Sequence, residues 1–165
     1  MRLMFRSKWG ICAALAVALF VVAAPLASAA EVSVDEYREL AEPVCKANVE
    51  ANRSIFKGVK QLVREEKLKP ASRHFKRAAT AFGKTIGQLA RIPRATGYET
   101  KLAKWLGLLR KTKGTIAKIG TALAAENKRK AESFSVELHR VSNQANNTVL
   151  DFGFNYCRIE QSRFG

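Results

Sequence analysis

The sequence predicts an all-α protein: an antiparallel up-and-down four-helix bundle closed by one disulfide, after a cleavable signal peptide. Three observations carry this prediction. Apolar residues recur at alternating steps of three and four along four segments, which is the spacing of helices that pack in a bundle. Residues 31–165 contain no strand-like alternation and no hairpin signal. Beyond the signal two cysteines remain, Cys45 and Cys157.

Residues 1–30 have the layout of a secretory signal peptide. A basic head of Arg2, Arg6 and Lys8 precedes the apolar run 9–26, and Ala27-Ser28-Ala29 supplies small residues at the cleavage position. The alternative is a retained membrane anchor, since the run is nearly long enough to span a bilayer. The small residues at the end of the apolar run favour cleavage. We therefore expect a secreted or extracytoplasmic protein associated with the cell envelope.

The remaining residues, 31–165, are predicted to form a single helical-bundle domain with room for one core. Because paired cysteines in an exported chain indicate a disulfide, we expect Cys45 and Cys157 to be bonded. Closing so long a loop contributes about 4–5 kcal/mol in the chain-entropy model. The bridge is therefore expected to supply a large part of the domain's stability.

Helix one is predicted to begin near Val34, because Ser33 and Glu36 match a capping box. Pro43 is expected to kink this helix or to separate its first turn. Asn48 falls on the predicted buried stripe, where its amide needs a hydrogen-bond partner. The two alternatives are that it fixes the register of the helix and that it contacts a ligand. The predicted stripe consists of Tyr37, Ala41, Val44, Asn48, Ala51, Ile55, Val59 and Leu62.

Helices two and three are predicted over about 71–92 and 98–125, separated by a loop that contains Pro93 and Gly97. Pro70 is expected in or near the first turn of helix two. Glycines of helix three are expected where a neighbouring helix approaches closely. The predicted buried stripes are Phe75, Ala79, Phe82, Ile86 and Leu89 in helix two, and Tyr98, Leu102, Trp105, Leu109, Thr112, Ile116, Ile119 and Leu123 in helix three.

Helix four is predicted along 134–157, ending at Cys157, after a turn near 127–129. The alternative is one continuous helix through the charged segment before it. A continuous rod would carry Cys157 far from Cys45, which favours the turn. Four antiparallel helices would then bring both cysteines to the same end of the bundle. The predicted stripe is Phe134, Leu138, Val141, Ala145, Thr148 and Phe152.

Four motifs resemble a loose group of exported bacterial helical proteins with a single N-to-C-terminal disulfide. They read AEPVCKANVEA (41–51), IPRATGYETKLAKWLGLL (92–109), SNQAN (142–146) and FGFNYC (152–157). The resemblance covers most of residues 31–165. It implies the helical fold and no activity, and the strongly basic composition of this chain departs from the group.

The sequence offers no catalytic constellation, so we do not expect an enzyme, a metal site or a cofactor. His74 and His139 are the only histidines, and no cluster of metal-ligating residues has a suitable spacing. His74 is expected to face solvent and His139 to lie at the edge of a stripe. Glu65 and Glu66 precede a turn and are interpreted as solvated charge.

Basic residues on helices two and three are the feature that stands out. The formal net charge is +15, yet the segment 70–125 contains a single acidic residue, Glu99. At 100° per residue most of these basic side chains fall on faces turned away from the apolar stripes. The candidate anion-binding residues are Arg73, Lys76, Arg77, Lys84, Arg91, Lys101, Lys104, Arg110, Lys111 and Lys118.

We therefore predict an exported, non-enzymatic helical bundle that binds an anionic cell-envelope polymer or membrane surface through these faces. Sequence-specific binding of nucleic acid is not expected, because Lys and Arg would contact phosphates and not bases. Stacking on single strands is not expected either, because no exposed aromatic row accompanies the basic residues. An alternative is an envelope module that binds a protein partner, with the polar run 142–147 lining a pocket and the charge incidental. A buried small ligand near Asn48 and Asn146 is a third alternative.

Overall fold

A computed structural model describes residues 31–160 of this chain. Helices are the only regular secondary structure in these residues, which contain no strand, and this confirms the predicted all-α class. The predicted signal peptide, 1–30, lies outside the described residues. The elements are α1 (Val34–Ile55), α2 (Val59–Arg64), α3 (Leu68–Leu89), α4 (Glu99–Ala124), α5 (Lys128–Thr148) and a 3-10 turn (Leu150–Phe152).

The start of α1 is the predicted capping box. The Glu36 backbone N–H donates to Ser33 Oγ at 3.1 Å, and the Ser33 N–H donates to Glu36 Oε2 at 2.7 Å. The helix runs through Pro43 without separating a first turn, and Pro43 is exposed. The other expected effect of Pro43, a kink, stays a prediction.

The buried face of α1 is shifted by one residue beyond Ala41 relative to the prediction. Cys45, Val49 and Asn52 are buried, whereas the predicted Ala51 is exposed. Steps of four, from Ala41 to Cys45 to Val49, replace the predicted step of three, and Cys45 on this face is bonded to Cys157. The helix then ends at Ile55, and Gly58, with φ of 81°, separates it from α2. The prediction of one helix as far as Leu62 was therefore wrong.

Helices α3 and α4 match their predicted stripes closely. Phe82, Ile86 and Leu89 are buried on α3, and Trp105 is fully buried on α4. Helix α3 begins three residues earlier than predicted, which places Pro70 within its first turn. That position needs no intrahelical N–H donor, so proline is accommodated there.

Predicted helix three, which corresponds to α4, contains Gly107, Gly114 and Gly120, and only one of these glycines lies at a close contact with another helix. A Cβ at Gly120 would lie 3.2 Å from the Cβ of Phe75 and 3.3 Å from the backbone N of Lys76. At Gly107 and Gly114 a Cβ would meet no atom within 4 Å. The expectation of close approach is confirmed for Gly120 and wrong for the other two.

Helix α4 ends in the predicted turn, and α5 follows. Glu126 has φ of 54°, and the Asn127 N–H donates to the Ala122 carbonyl at 2.9 Å, as in a Schellman motif. Helix α5 ends at Thr148, so the prediction of a helix to Cys157 was wrong. Gly153, with φ of 62°, instead turns the chain inward.

The segment after α5, residues 149–160, forms a tail that closes the core. Phe152 and Phe154 are buried and stack with centroids 5.4 Å apart. Phe154 also stacks on Trp105 at 5.5 Å, and Phe152 meets the edge of Tyr98 at 5.3 Å. These apolar contacts explain why the tail is ordered without being helical.

A disulfide joins Cys45 of α1 to Cys157 of the tail, with Cα atoms 4.9 Å apart. The predicted pairing is thus present. Close by, the Glu42 carboxylate accepts hydrogen bonds from the backbone N–H groups of Asn155 and Tyr156. The tail is therefore attached to α1 both covalently and through its backbone.

Candidate functional site

Basic side chains on α3 form the first part of the candidate surface. Arg73, Arg77 and Lys84 are exposed because they lie on the face of α3 opposite Phe82, and Arg91 is exposed in the turn that follows this helix. Lys76 is also exposed and lies beside Gly120 of α4, as its main-chain N and Cγ are close to that glycine. Lys76 therefore lies where α3 contacts α4.

Helix α4 carries its basic residues on two sides. Lys113 lies across Gly83 of α3, where its Cε would be 3.3 Å from an added Cβ. The opposite side faces α5: Lys101 forms an ion pair with Asp151 at 2.6 Å, and Lys118 lies 3.8 Å from Glu137. The hydrogen bond from Lys101 lowers the pKa of the Asp151 carboxyl.

Lys101 and Lys118 are the predicted anion-binding residues that the structure pairs with acids. The other predicted anion-binding residues have no carboxylate of residues 31–160 within ion-pair distance. Their side chains are exposed and their charges are not neutralised locally. We define the cationic face as these exposed residues together with Lys113, namely Arg73, Lys76, Arg77, Lys84, Arg91, Lys104, Arg110, Lys111 and Lys113.

Lys113 was not among the predicted site residues. Its place on α4 lies nearer the apolar stripe than that of Lys111, so helical angles alone did not indicate an exposed cation there. Gly83 was the available signal, because a residue without a side chain leaves room for a long one from the neighbouring helix.

A second feature is an apolar cleft between the α1–α2 segment and α5. Helix α3 packs against α1 and α4, and α4 against α5, whereas α1 and α5 have no extended contact with each other. The resulting cleft has a volume of about 500 Å³ and includes side chains of α3 and α4 in its lining. Phe82, Trp105 and Leu109 belong to this lining.

Two buried side chains in the lining of the cleft have polar atoms without hydrogen-bond partners. Asn52 Nδ2 donates to both the carbonyl and the Oδ1 of Asn48 at 3.0 Å, but no group of residues 31–160 donates to Asn52 Oδ1. Trp105 is fully buried, and its Nε1–H has no acceptor in the same residues. Buried polar atoms of folded proteins are nearly always paired, so both atoms require an explanation.

The charged residues in the lining of the cleft are all of one sign. Lys60 and Arg64 come from α2 and Arg158 from the tail, and all three are exposed. None of them has a carboxylate of residues 31–160 within 4 Å, and no acidic residue lines the cleft in that part of the chain. These three residues were not predicted as a site, because the residues of α2 and of the tail were expected to continue helices one and four.

The remaining candidate residues have structural positions. Asn146 is bonded to the backbone of Ile159 and does not line the cleft, so it is not a ligand contact there. His74 is half-buried, and its Nδ1 bonds to the Ile55 carbonyl, so the expectation that it faces solvent was wrong. His139 is exposed at the cleft.

Within residues 31–160 there is no cluster of three or more residues suited to holding a metal ion. The same residues include no helix that combines the length and hydropathy needed to cross a bilayer. No family model, curated protein or solved structure matches this chain. The resemblance to exported bacterial helical proteins therefore stays a prediction.

Proposed function

We propose that this protein is an exported, non-enzymatic module that binds an anionic polymer or an anionic membrane surface of the cell envelope through its cationic face. The proposal includes a cleaved signal peptide and an up-and-down arrangement of the four long helices α1, α3, α4 and α5. The observation that carries it is the group of exposed, unneutralised lysines and arginines on α3 and α4.

The distribution of ion pairs supports binding rather than solubility alone. A soluble surface is well served by interspersed charges of both signs. Here the acids near α4 belong to α5 and the tail, where they pair with Lys101 and Lys118. The cationic face is left with positive charge from two adjacent helices, which attracts phosphate or carboxylate groups at long range.

Binding would take place by charge neutralisation and release of counterions. Lysine acts as a flexible point charge toward phosphate, and arginine adds a planar fork for paired hydrogen bonds. Neither mode reads a base sequence, so the ligand would be recognised by its charge density. A polyphosphate and a phospholipid surface share this chemistry.

The test changes Arg77, Lys84, Lys104 and Lys111 together to Gln in the full-length protein. We expect affinity for polyphosphate, or for vesicles containing anionic phospholipid, to fall and its salt dependence to become shallower. Each lost phosphate contact should lower the slope of log K against log salt by about one. Comparison of the two ligands separates a polymer from a membrane surface.

A matched variant removes four exposed cations elsewhere: Lys46, Arg53, Lys57 and Arg129. It has the same net charge as the first variant but keeps the cationic face. If both variants bind equally well, or if neither differs from the unaltered protein, the cationic face is not a binding site.

A polar groove between α4 and α5 favours a second candidate, a protein-binding module. Gln144 and Asn147, from the polar run 142–147, line this groove together with Lys104. Amide side chains recognise partners by hydrogen bonds, which depend less on salt than ionic contacts do. A partner from envelope extract that stays bound at high salt, and is lost from a Gln144→Ala, Asn147→Ala variant, would support this candidate.

A further inference from the structure

The cleft between α1 and α5 reaches side chains of the hydrophobic core, among them Phe82, Trp105 and Leu109. Its volume of about 500 Å³ lies within the range of sites for small organic molecules. Most of its lining is apolar, and it adjoins the disulfide through Cys45 and Cys157. Empty space of this size would leave many lining atoms without packing partners.

The lining of the cleft also contains two polar atoms without partners in residues 31–160, on Asn52 and Trp105. Both side chains line the cleft, and both are more than nine-tenths buried. Asn52 Oδ1 requires a donor and the Trp105 indole N–H requires an acceptor. A saturated hydrocarbon chain pairs with neither atom, so the occupant is inferred from the apolar lining and from the charges beside it.

The sign of charge around the cleft selects the polar group. Lys60, Arg64 and Arg158 line it without carboxylate partners, so a negatively charged group is the complementary one. These three cations belong to α2 and the tail and are not part of the cationic face. The site is therefore distinct from the surface assigned to anionic polymers.

We propose that the cleft binds a small amphiphile with a long hydrocarbon body and one carboxylate, of the fatty-acid class. The hydrocarbon lies along the apolar lining of α3 and α4, and the carboxylate pairs with Lys60, Arg64 and Arg158. This assignment is independent of the cationic face.

The experiment is a titration of the full-length protein with saturated fatty acids of increasing length, followed by tryptophan emission. The chain has two tryptophans, so the Trp9→Phe substitution leaves Trp105, in the cleft lining, as the reporter. We expect Trp105 emission to change on binding. Affinity should rise about fourfold for each added methylene until the cleft is full, because each buried methylene adds a constant increment.

The carboxylate is tested with a second variant, Lys60→Gln, Arg64→Gln, Arg158→Gln. Its three positions are exposed, so the fold should be retained. We expect affinity for the fatty acid to fall about tenfold or more, and affinity for the fatty alcohol of equal length to stay unchanged. A matched variant, Arg73→Gln, Arg77→Gln, Arg91→Gln, loses the same charge in and just after α3 and should bind the fatty acid normally.

Three results would overturn the assignment. The first is an unchanged Trp105 emission at saturating fatty acid. The second is an equal loss of affinity for the acid and the alcohol in the Lys60, Arg64 and Arg158 variant. The third is that the matched arginine variant weakens fatty-acid binding as much as the Lys60, Arg64 and Arg158 variant does. The last result would attribute fatty-acid binding to overall positive charge. Failure of the polyphosphate and vesicle test leaves the cleft experiment unaffected, since the two sets of substitutions do not overlap.

Discussion

Asn146 and Ile159 are joined by two hydrogen bonds between a helix side chain and the backbone of the tail. Asn146 Nδ2 donates to the Ile159 carbonyl at 3.1 Å, and the Ile159 N–H donates to Asn146 Oδ1 at 2.8 Å. An asparagine side chain matches a peptide group in this way because it carries one donor and one acceptor in the same plane.

The Asn146→Ala substitution should therefore loosen the tail. We expect a loss of about 1–3 kcal/mol in the free energy of unfolding, because two partly buried backbone groups lose their partners. Amide hydrogen exchange at Ile159 should accelerate more than exchange in α3. Asn147→Ala is the control, since Asn147 is exposed. Equal effects of the two substitutions would contradict a clamping role for Asn146.

The disulfide should contribute a large share of the stability. It closes a sequence separation of 112 residues, for which chain entropy gives about 4–5 kcal/mol. We expect the Cys157→Ser variant to unfold at lower urea concentration while retaining its helicity in the absence of denaturant. The measurement is urea unfolding followed by circular dichroism, and an unchanged midpoint would show that the bond adds no net stability.

Gly120 and Gly114 should respond in opposite directions to alanine. Gly120→Ala introduces a Cβ that crowds the Phe75 Cβ and the Lys76 backbone N, so α3 and α4 must separate and the protein should be destabilised by about 1–3 kcal/mol. Gly114→Ala meets open space and should stabilise α4 by up to about 1 kcal/mol. Thermal unfolding of the two variants checks both signs, and stabilisation of both would refute the close contact at Gly120.

Tyr37 should make stability depend on alkaline pH. Burial raises the pKa of its hydroxyl to about 12, and the charge of Arg94 opposes this effect. The unfolded chain ionises this tyrosine near pH 10, whereas the folded chain keeps it neutral. The contribution of the neutral hydroxyl is therefore complete below pH 10, and stability falls between about pH 10 and 12, by up to about 3 kcal/mol.

The Tyr37→Phe substitution isolates this effect. The Tyr37 hydroxyl has no hydrogen-bond partner among residues 31–160, so phenylalanine fits at this position without loss of a hydrogen bond. We expect the difference in unfolding free energy between the variant and the unaltered protein to grow as the pH rises from 10 to 12. Tyr156→Phe serves as the control, because Tyr156 is exposed. A pH-independent difference for Tyr37→Phe would contradict the raised pKa.

Much of the fold followed from the sequence, and the reason is local. The stripes of α3 and α4 were predicted residue by residue because helical periodicity is set by neighbours three and four positions apart. The capping box at Ser33 and Glu36 is equally local. Long, strongly amphipathic helices can therefore be predicted from their own sequence, without reference to the rest of the chain.

The errors lie where a distant contact overrides local pattern. The end of α5 was misplaced because Phe152 continues the helical spacing, although Gly153 and contacts with Tyr98 and Trp105 turn the chain inward. In the candidate site, exposure of the α3 and α4 cations was predictable from helical angles. The pairing of Lys101 and Lys118 with acids from elsewhere was not.

The sequence by itself determined that this is a helical protein, which faces of α3 and α4 are buried, and that Cys45 and Cys157 are partners. Only the tertiary structure decided the register of α1, the inward path of the tail and the cleft between α1 and α5. The physical reason is that a helix face is defined by adjacent turns of one segment. A space between helices is defined by side chains that are distant in sequence and meet only after folding.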